Sequence, residues 1–258
     1  MQKLKENPFD LSGKNAIVTG GSKGIGRSIV EHLAAAGANV VVSSRKADAC
    51  EEVAANIRNH GLQARAIGCN ISRKNEVEAL VAQAHDYFGP IDIFVSNAAV
   101  NPYAGPLPEI TDEAYHKILD SNVLSNIWIA KLILPDMQAR GGGAYIIVSS
   151  VGSLKSHATI GCYTISKAAD NALVRNLALE WGKHNIRVNA LLPGLVKTDM
   201  ARILWDTPEG RERIRTRFPI PRAGDPDDLG PAAVFLASRA AQWMTGQTLI
   251  VDGGATIA

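Results

Sequence analysis

The chain has 258 residues, 46% of them hydrophobic and 20% charged, which is enough apolar material for one large core. A net charge of +2, with basic and acidic residues interspersed, excludes a phosphate-tracking stripe or a polybasic anchor, so neither nucleic acid nor a membrane is an expected partner. No run approaches the roughly 20 apolar residues of a membrane span, the N-terminus lacks the apolar run of a signal peptide, and Cys50, Cys69 and Cys162 have no partners at metal-ligand spacing, so a reducing, metal-free cytoplasmic setting is expected.

Apolar runs rich in Val and Ile open at 15–19 and recur at 39–43, 64–67, 91–96, 144–149, 186–192 and 248–251, and they read as strands buried on both faces. Between them a 3.6-residue periodicity covers 26–36, 48–60, 75–88, 112–139 and 163–182. This alternation implies an α/β fold, a Rossmann-type doubly wound parallel sheet of about seven strands with helices on both faces, in one domain over 1–258. Gly37 and Gly61 sit where helices should stop, Gly89-Pro90 closes another, and Asp225-Pro226 reads as an N-cap followed by proline at N1. The rhythm breaks at 197–222, where two short helical patterns, 199–205 and 209–218, follow the sixth strand. Ligands of such sheets bind beyond the carboxyl ends of the strands, so this insertion reads as a substrate lid.

The first strand runs into Thr19-Gly20-Gly21-Ser22-Lys23-Gly24-Ile25-Gly26 and straight into a helix, the setting a dinucleotide-binding loop requires. Gly20 permits the tight turn, Gly24 lets backbone N–H groups approach a pyrophosphate, and Gly26 lets the helix pack on the strand. The same glycines in isolation also suit a ligand-free turn. At the end of the second strand, where an NAD-specific protein usually places Asp or Glu, stand Ser44 and Arg45. With no carboxylate to repel a 2′-phosphate, Arg45 and Lys23 favour NADP(H), the alternative being two ordinary solvated charges.

Farther on, Asn122 lies inside the 112–139 run as a polar residue among Leu119, Val123 and Ile127, and a buried amide needs partners, which an active-site water chain would provide. Ser150 lies just past the fifth strand. Tyr163 and Lys167 are four residues apart at the start of a helical pattern, so they share one face about a turn apart. A phenol beside an ammonium ionises more readily, which suits proton transfer near neutral pH. A Tyr-x-x-x-Lys pair alone also fits a surface lysine above a half-buried tyrosine; the placement of Ser150 and Tyr163 at one sheet edge favours the chemical reading.

The combination TGGSKGIG (Thr19 to Gly26), SNAA (Ser96 to Ala99), Asn122, Ser150, YTISK (Tyr163 to Lys167) and PGLVKT (Pro193 to Thr198) resembles the single-domain short-chain dehydrogenase/reductase family over nearly the whole chain. Within it, VVVSSRK, SNAAVNP and NIRVN look most like the NADPH-dependent carbonyl and retinal reductases of vertebrate peroxisomes and their microbial relatives. The resemblance implies that Tyr163 exchanges a proton with the substrate oxygen, Lys167 binds the nicotinamide ribose, Ser150 holds the reacting oxygen and Asn122 positions a water. It further implies cofactor contacts from Ser22, Ile25, Asn70, Ile71, Asn97, Ala98, Pro193, Gly194, Val196 and Thr198, and a homotetramer. Two departures stand out: Asn70 replaces the family's usual Asp near the adenine, and Ala99 replaces a glycine beside the nicotinamide. The peroxisomal Ser-Arg-Leu ending is replaced by Thr256-Ile257-Ala258.

Substrate choice is expected from Tyr103, Leu154, His157, Ile160, Leu204 and Trp205, a mostly apolar set that suits a ketone or aldehyde better than a sugar or an acid. The nearest enzymatic rival is a 3-oxoacyl-thioester (acyl-carrier-protein) reductase, for which Arg140 and Lys183 are weak docking charges. A non-catalytic NADP-sensing protein is the rival of a different class, and the joint presence of Asn122, Ser150, Tyr163 and Lys167 argues against it.

Overall fold

β-branched and aromatic residues fill a pleated surface well, and here they do so on both faces of the central strands. The computed structural model describes residues 7–258; the first six residues, on which the signal-peptide reading partly rests, lie outside the described residues. Seven strands, β1 (Asn15–Thr19), β2 (Asn39–Ser44), β3 (Ala64–Gly68), β4 (Ile93–Ser96), β5 (Gly143–Val148), β6 (Ile186–Pro193) and β7 (Thr248–Val251), form one sheet in the order β3-β2-β1-β4-β5-β6-β7. Every pairing is parallel, so all the carboxyl ends lie along one edge. The order reverses between β1 and β4, which opens a crevice at that edge.

Alternate residues of each strand serve opposite layers. Ala16 and Val18 pack with α1 (Gly24–Ala35) and α2 (Ala47–Asn59), whereas Ile17 packs with α3 (Lys74–Phe88). Both layers are built of buried apolar side chains, and each fully buried Val, Leu or Ile contributes about 1.5–3 kcal/mol. Gly37 and Gly61, with φ of 100° and 78°, end α1 and α2 as their positions suggest. Asp225 closes a capping box with Asp228 over the 3-10 turn Pro226–Asp228, one turn ahead of the helix Gly230–Ala237.

The 112–139 run is not the single helix its periodicity predicts. It divides into α4 (Asp112–Leu119), a π-turn (Asp120–Leu124) and α5 (Ser125–Ala139). Widening a helix frees main-chain carbonyls, and neighbouring side chains collect them: Ser125 Oγ donates to the Ser121 carbonyl at 2.7 Å and Asn126 Nδ2 to the Asn122 carbonyl at 2.9 Å. Periodicity counts apolar faces and is blind to one inserted residue when the polar residues at the insertion satisfy each other. Next in order come α6 (Gly161–Trp181) and, after β6, the insertion with α7 (Arg202–Trp205) and α8 (Pro208–Arg217), each close to its expected span.

Candidate active site

The glycine loop is shaped by what it lacks. Gly20 and Gly24 adopt φ of 68° and 55°, a backbone that side chains disfavour. At Gly26 a Cβ would stand 2.8 Å from the Gly20 carbonyl carbon, so only glycine lets α1 begin this close to β1. No side chain caps α1, which leaves its first-turn amides without a side-chain partner, as an incoming pyrophosphate requires. Asn97 clamps this loop from the end of β4: its Nδ2 donates to the Thr19 and Gly20 carbonyls at 3.0 and 3.2 Å, while the Asn97 and Ala98 amides donate to Thr19 Oγ1. The residues therefore fit a dinucleotide.

Around the loop, the other expected cofactor residues follow the ends of successive strands. Ser44 ends β2, but its hydroxyl is occupied locally, 3.0 Å from Cys50 Sγ. Arg45 is exposed beside it, and Lys23, also exposed, forms a 2.8 Å ion pair with Asp199 at the start of the insertion. Asn70 closes an Asx turn onto the Ser72 amide, and the Ile71 side chain is buried in the core, so only its backbone can face a ligand. Pro193 and Gly194 end β6, Val196 is buried, and the Thr198 methyl lies 3.2 Å from where a Cβ of Gly24 would stand.

The chemical residues converge from β5, α6 and the π-turn. Ser150, two residues past the end of β5, accepts the Gly152 amide on Oγ at 3.0 Å. Tyr163 and Lys167 occupy the first two turns of α6, with Lys167 Nζ 5.9 Å from the Tyr163 ring centre. Lys167 is 3% exposed, and its Nζ donates at 3.0 Å both to the Val148 carbonyl of β5 and to Asp170. Asn122 differs from expectation. Its amide needs no water chain, because Oδ1 accepts from the Val100 amide at 2.9 Å while Nδ2 donates to the Val100 carbonyl and Ser166 Oγ, each at 3.0 Å. Asn122 thus pins the segment after β4 to α6.

Sequence reasoning missed Asn126 and Asp170, which are 1% and 0% exposed and bonded to each other at 3.3 Å. The available signal was a polar run, Ser166, Lys167, Asp170 and Asn171, at helical spacing on the buried stripe of α6. The substrate set is more dispersed. Tyr103 donates to the Pro106 carbonyl at 2.7 Å, Ile160 bridges to Gly105, and Leu154 and His157 stand exposed on the loop before α6. In the insertion Leu204 is exposed, whereas Trp205 turns inward, donating its indole N–H to the Thr198 carbonyl at 3.2 Å. The three cysteines are all buried, and burial pushes the Cys162 thiol, next to Tyr163, above its usual range.

A family profile described as "Enoyl-(Acyl carrier protein) reductase" matches residues 20–256. The bovine (Bos taurus) protein "Dehydrogenase/reductase SDR family member 4" is 40% identical over 250 residues, covering 97% of this chain and 89% of its own. The chain belongs to the short-chain dehydrogenase/reductase family. It is an oxidoreductase enzyme of that family, whose members use a nicotinamide cofactor. Two solved short-chain dehydrogenases carry different forms of that cofactor. A gluconate 5-dehydrogenase from Burkholderia cenocepacia J2315, in complex with NADP and tartrate, superposes with a TM-score of 0.92 at 33% identity, covering 97% of this chain and 98% of that one. A 7α-hydroxysteroid dehydrogenase, complexed with NADH and 7-oxo glycochenodeoxycholic acid, also gives 0.92, at 38% identity and 96% of each chain. Dehydrogenases of this shape therefore hold either nucleotide. Among the described residues no helix is long and apolar enough to cross a membrane.

Proposed function

We propose that the protein is an NADP(H)-dependent carbonyl reductase, interconverting an apolar ketone or aldehyde and the matching alcohol. One observation carries the reading. Lys167 Nζ, 5.9 Å from the Tyr163 ring centre, reaches back to the Val148 carbonyl, two residues before Ser150, so the Tyr163–Lys167 pair is anchored at the strand end that carries Ser150, on the sheet edge of a glycine loop that fits a dinucleotide.

Each group has a task set by its bonds. Ser150 Oγ accepts the Gly152 amide, which leaves its own hydrogen available as a donor for a carbonyl oxygen. Tyr163 gives that oxygen its proton in reduction and withdraws it in oxidation. Lys167 has three N–H groups; two are held by Val148 and Asp170, and the third remains for a ribose hydroxyl. Asn122 acts by holding the segment after β4 against α6. When bound, the nicotinamide supplies or accepts the hydride. Arg45 and Lys23 would hold the 2′-phosphate; the exposed Lys23–Asp199 pair is weak in water and exchanges readily for a phosphate.

The segment 197–222 serves as the lid, with Leu204, Tyr103, Leu154 and Ile160 giving the site its apolar preference. We place the enzyme in the cytoplasm as a single-domain subunit of a homotetramer. Its three reduced, buried cysteines suit a reducing compartment, and the exposed Leu124, Ile127 and Ile165 near the π-turn and α6, with Trp243, Ile250 and Ile257 near the C-terminus, suit two subunit contacts.

The test is consumption of NADPH and NADH by the purified protein against aromatic ketones, diketones, aldehydes, steroid ketones and β-ketoacyl thioesters, with Tyr163→Phe in parallel. Turnover of apolar carbonyls with NADPH, reduced by at least about a hundredfold in the variant, supports the reading. Turnover of thioesters alone transfers the protein to the acyl reductases, and tight NADPH binding without turnover makes it a sensor.

A further inference from the structure

The lysine that short-chain dehydrogenases place beside their tyrosine is, in this chain, one end of a buried polar chain. Lys167 Nζ donates to Asp170 Oδ2 at 3.0 Å, the two side chains being 4% and 0% exposed. Asp170 Oδ1 receives Asn126 Nδ2 at 3.3 Å, and the same Nδ2 donates to the Asn122 carbonyl at 2.9 Å inside the π-turn. The Asn126 carbonyl in turn accepts the Tyr145 hydroxyl at 3.0 Å. Both acceptors of Asn126 Nδ2 are oxygens, which fixes the orientation of that amide. The arrangement spans four elements and leaves Asp170 one fixed position.

Burying an ammonium favours its neutral form unless an anion is built in beside it. A neutral amine could not donate its remaining N–H with the strength of a charged group. The carboxylate three residues along the helix supplies the missing anion from the same face. We propose that Asp170 is a positioning residue for the reductase reaction: a buried counter-ion, latched by Asn126, that keeps Lys167 charged and aimed at the site. This deepens the proposed function and rests on it for the role of Lys167.

The electrostatics agree with the geometry. Burial works to lower the proton affinity of Lys167, and Asp170, with Tyr163 behind it, outweighs burial, so the ammonium is held above the usual lysine range. The ionisable groups facing the pair are Tyr163 from α6 and Tyr145 from β5; the latter is fully buried, and burial, with Asp170 adding to it, keeps its phenol protonated. The π-turn and α5 face the pair with the amides of Asn122 and Asn126. Removing the charge of Asp170 therefore leaves burial acting on Lys167 with only Tyr163 to oppose it.

The test compares Asp170→Asn and Asp170→Glu by two readouts. The first is the pH titration of the Lys167 side-chain resonance by NMR without cofactor, assigned by its loss in Lys167→Met. The second is the alkaline limb of kcat/KM for NADPH-driven carbonyl reduction. In Asp170→Asn the Lys167 midpoint is expected to fall by about one pH unit or more, with the alkaline limb following it and kcat down roughly tenfold while the carbonyl KM changes little. Asp170→Glu, which keeps the charge, should restore the midpoint to near its wild-type position. If Asp170→Asn does not fold, Asp170→Ser gives the same two readouts. A midpoint and limb that stay in place in the neutral variants overturn the proposal, even if activity is lost. A midpoint that falls in Asp170→Asn while the wild-type protein turns over no carbonyl keeps Asp170 as the counter-ion of Lys167 and overturns the reductase reading instead.

Discussion

Gly26→Ala adds one methyl group at the junction of α1 and β1. The new Cβ would stand 2.8 Å from the Gly20 carbonyl carbon, and closer to its oxygen and to Asn97 Nδ2, where ordinary contact begins at 3.4 Å. Neither obstacle gives way cheaply, since one is backbone and the other is an amide held by the Thr19 and Gly20 carbonyls. The helix has to move off the strand, and overpacking of this kind costs about 1–3 kcal/mol. At about 2–4 °C per kcal/mol for a chain of this size, the apo Tm should fall by about 2–12 °C. Moving the helix also moves the amides that would face a pyrophosphate, so the NADPH Kd should rise at least about tenfold, or ~1.4 kcal/mol. Gly13→Ala is the control: φ is 73° but nothing lies within 4 Å, so only the left-handed backbone penalty of about 1–2 kcal/mol applies and NADPH affinity should hold. Differential scanning fluorimetry without cofactor and NADPH fluorescence titration measure the two effects separately. A Gly26→Ala protein that binds NADPH within about twofold of wild type would refute the assignment of this loop.

Arg45→Ala should weaken NADPH binding by roughly ten- to a hundredfold, as loss of a charge-assisted contact worth about 1.5–3 kcal/mol requires, and leave NADH nearly unchanged; parallel titrations of both nucleotides check it. Asp228 offers a pH test away from the site. The Arg222 guanidinium grips it at 2.6 and 2.8 Å, and with the Asp225 amide behind it holds the carboxyl down to about 2. A depressed carboxylate stabilises the fold above its unfolded value near 4 and loses that contribution as pH falls toward 2. With Asp228 about one-third exposed, roughly 1 kcal/mol is expected after allowance for solvent screening. Asp228→Asn should lower Tm by about 2–4 °C at pH 7 and by progressively less below pH 4, and an equal deficit at both ends contradicts the ion-pair origin.

The sheet was legible because its signal is repetitive. A strand such as Asn39–Ser44 buried on both faces has to be apolar throughout, and the glycines that end α1 and α2 need a backbone only glycine adopts easily. Tyr163, Lys167 and Ser150 were legible because helix spacing and strand ends place them without knowledge of tertiary contacts. The π-turn was not, since Ser125 and Asn126 repair the widened helix with bonds that no apolar pattern records. Nor was the true environment of Asn122, because Val100 and Ser166, its partners, lie 22 and 44 residues away. Trp205 shows what the substrate set hid: the sequence offers an aromatic in the 197–222 insertion but not the bond by which its indole N–H is tied to the Thr198 carbonyl.

The buried stripe of α6 changes character half-way along. Its later turns carry Val174, Leu177 and Ala178 into the core, while its first turns carry Ser166, Lys167, Asp170 and Asn171 to equally buried positions. A stripe apolar throughout would bury the same area without desolvating a charge pair, so stability alone does not account for the polar half. The polar residues are matched by others at the facing surface, Asn122 in the π-turn to Ser166 and Asn126 at the start of α5 to Asp170. The π-turn with the start of α5 and the polar half of α6 thus answer one another. Replacing Asn126 or Asp170 alone would break the Asn126–Asp170 bond and strand its other half, whereas replacing both removes that mismatch but still leaves Lys167 without its counter-ion, so the chemistry is lost. A double-mutant cycle of Asn126→Leu with Asp170→Leu separates the two effects: stability should recover in the double variant relative to the sum of the singles, and carbonyl reduction should not.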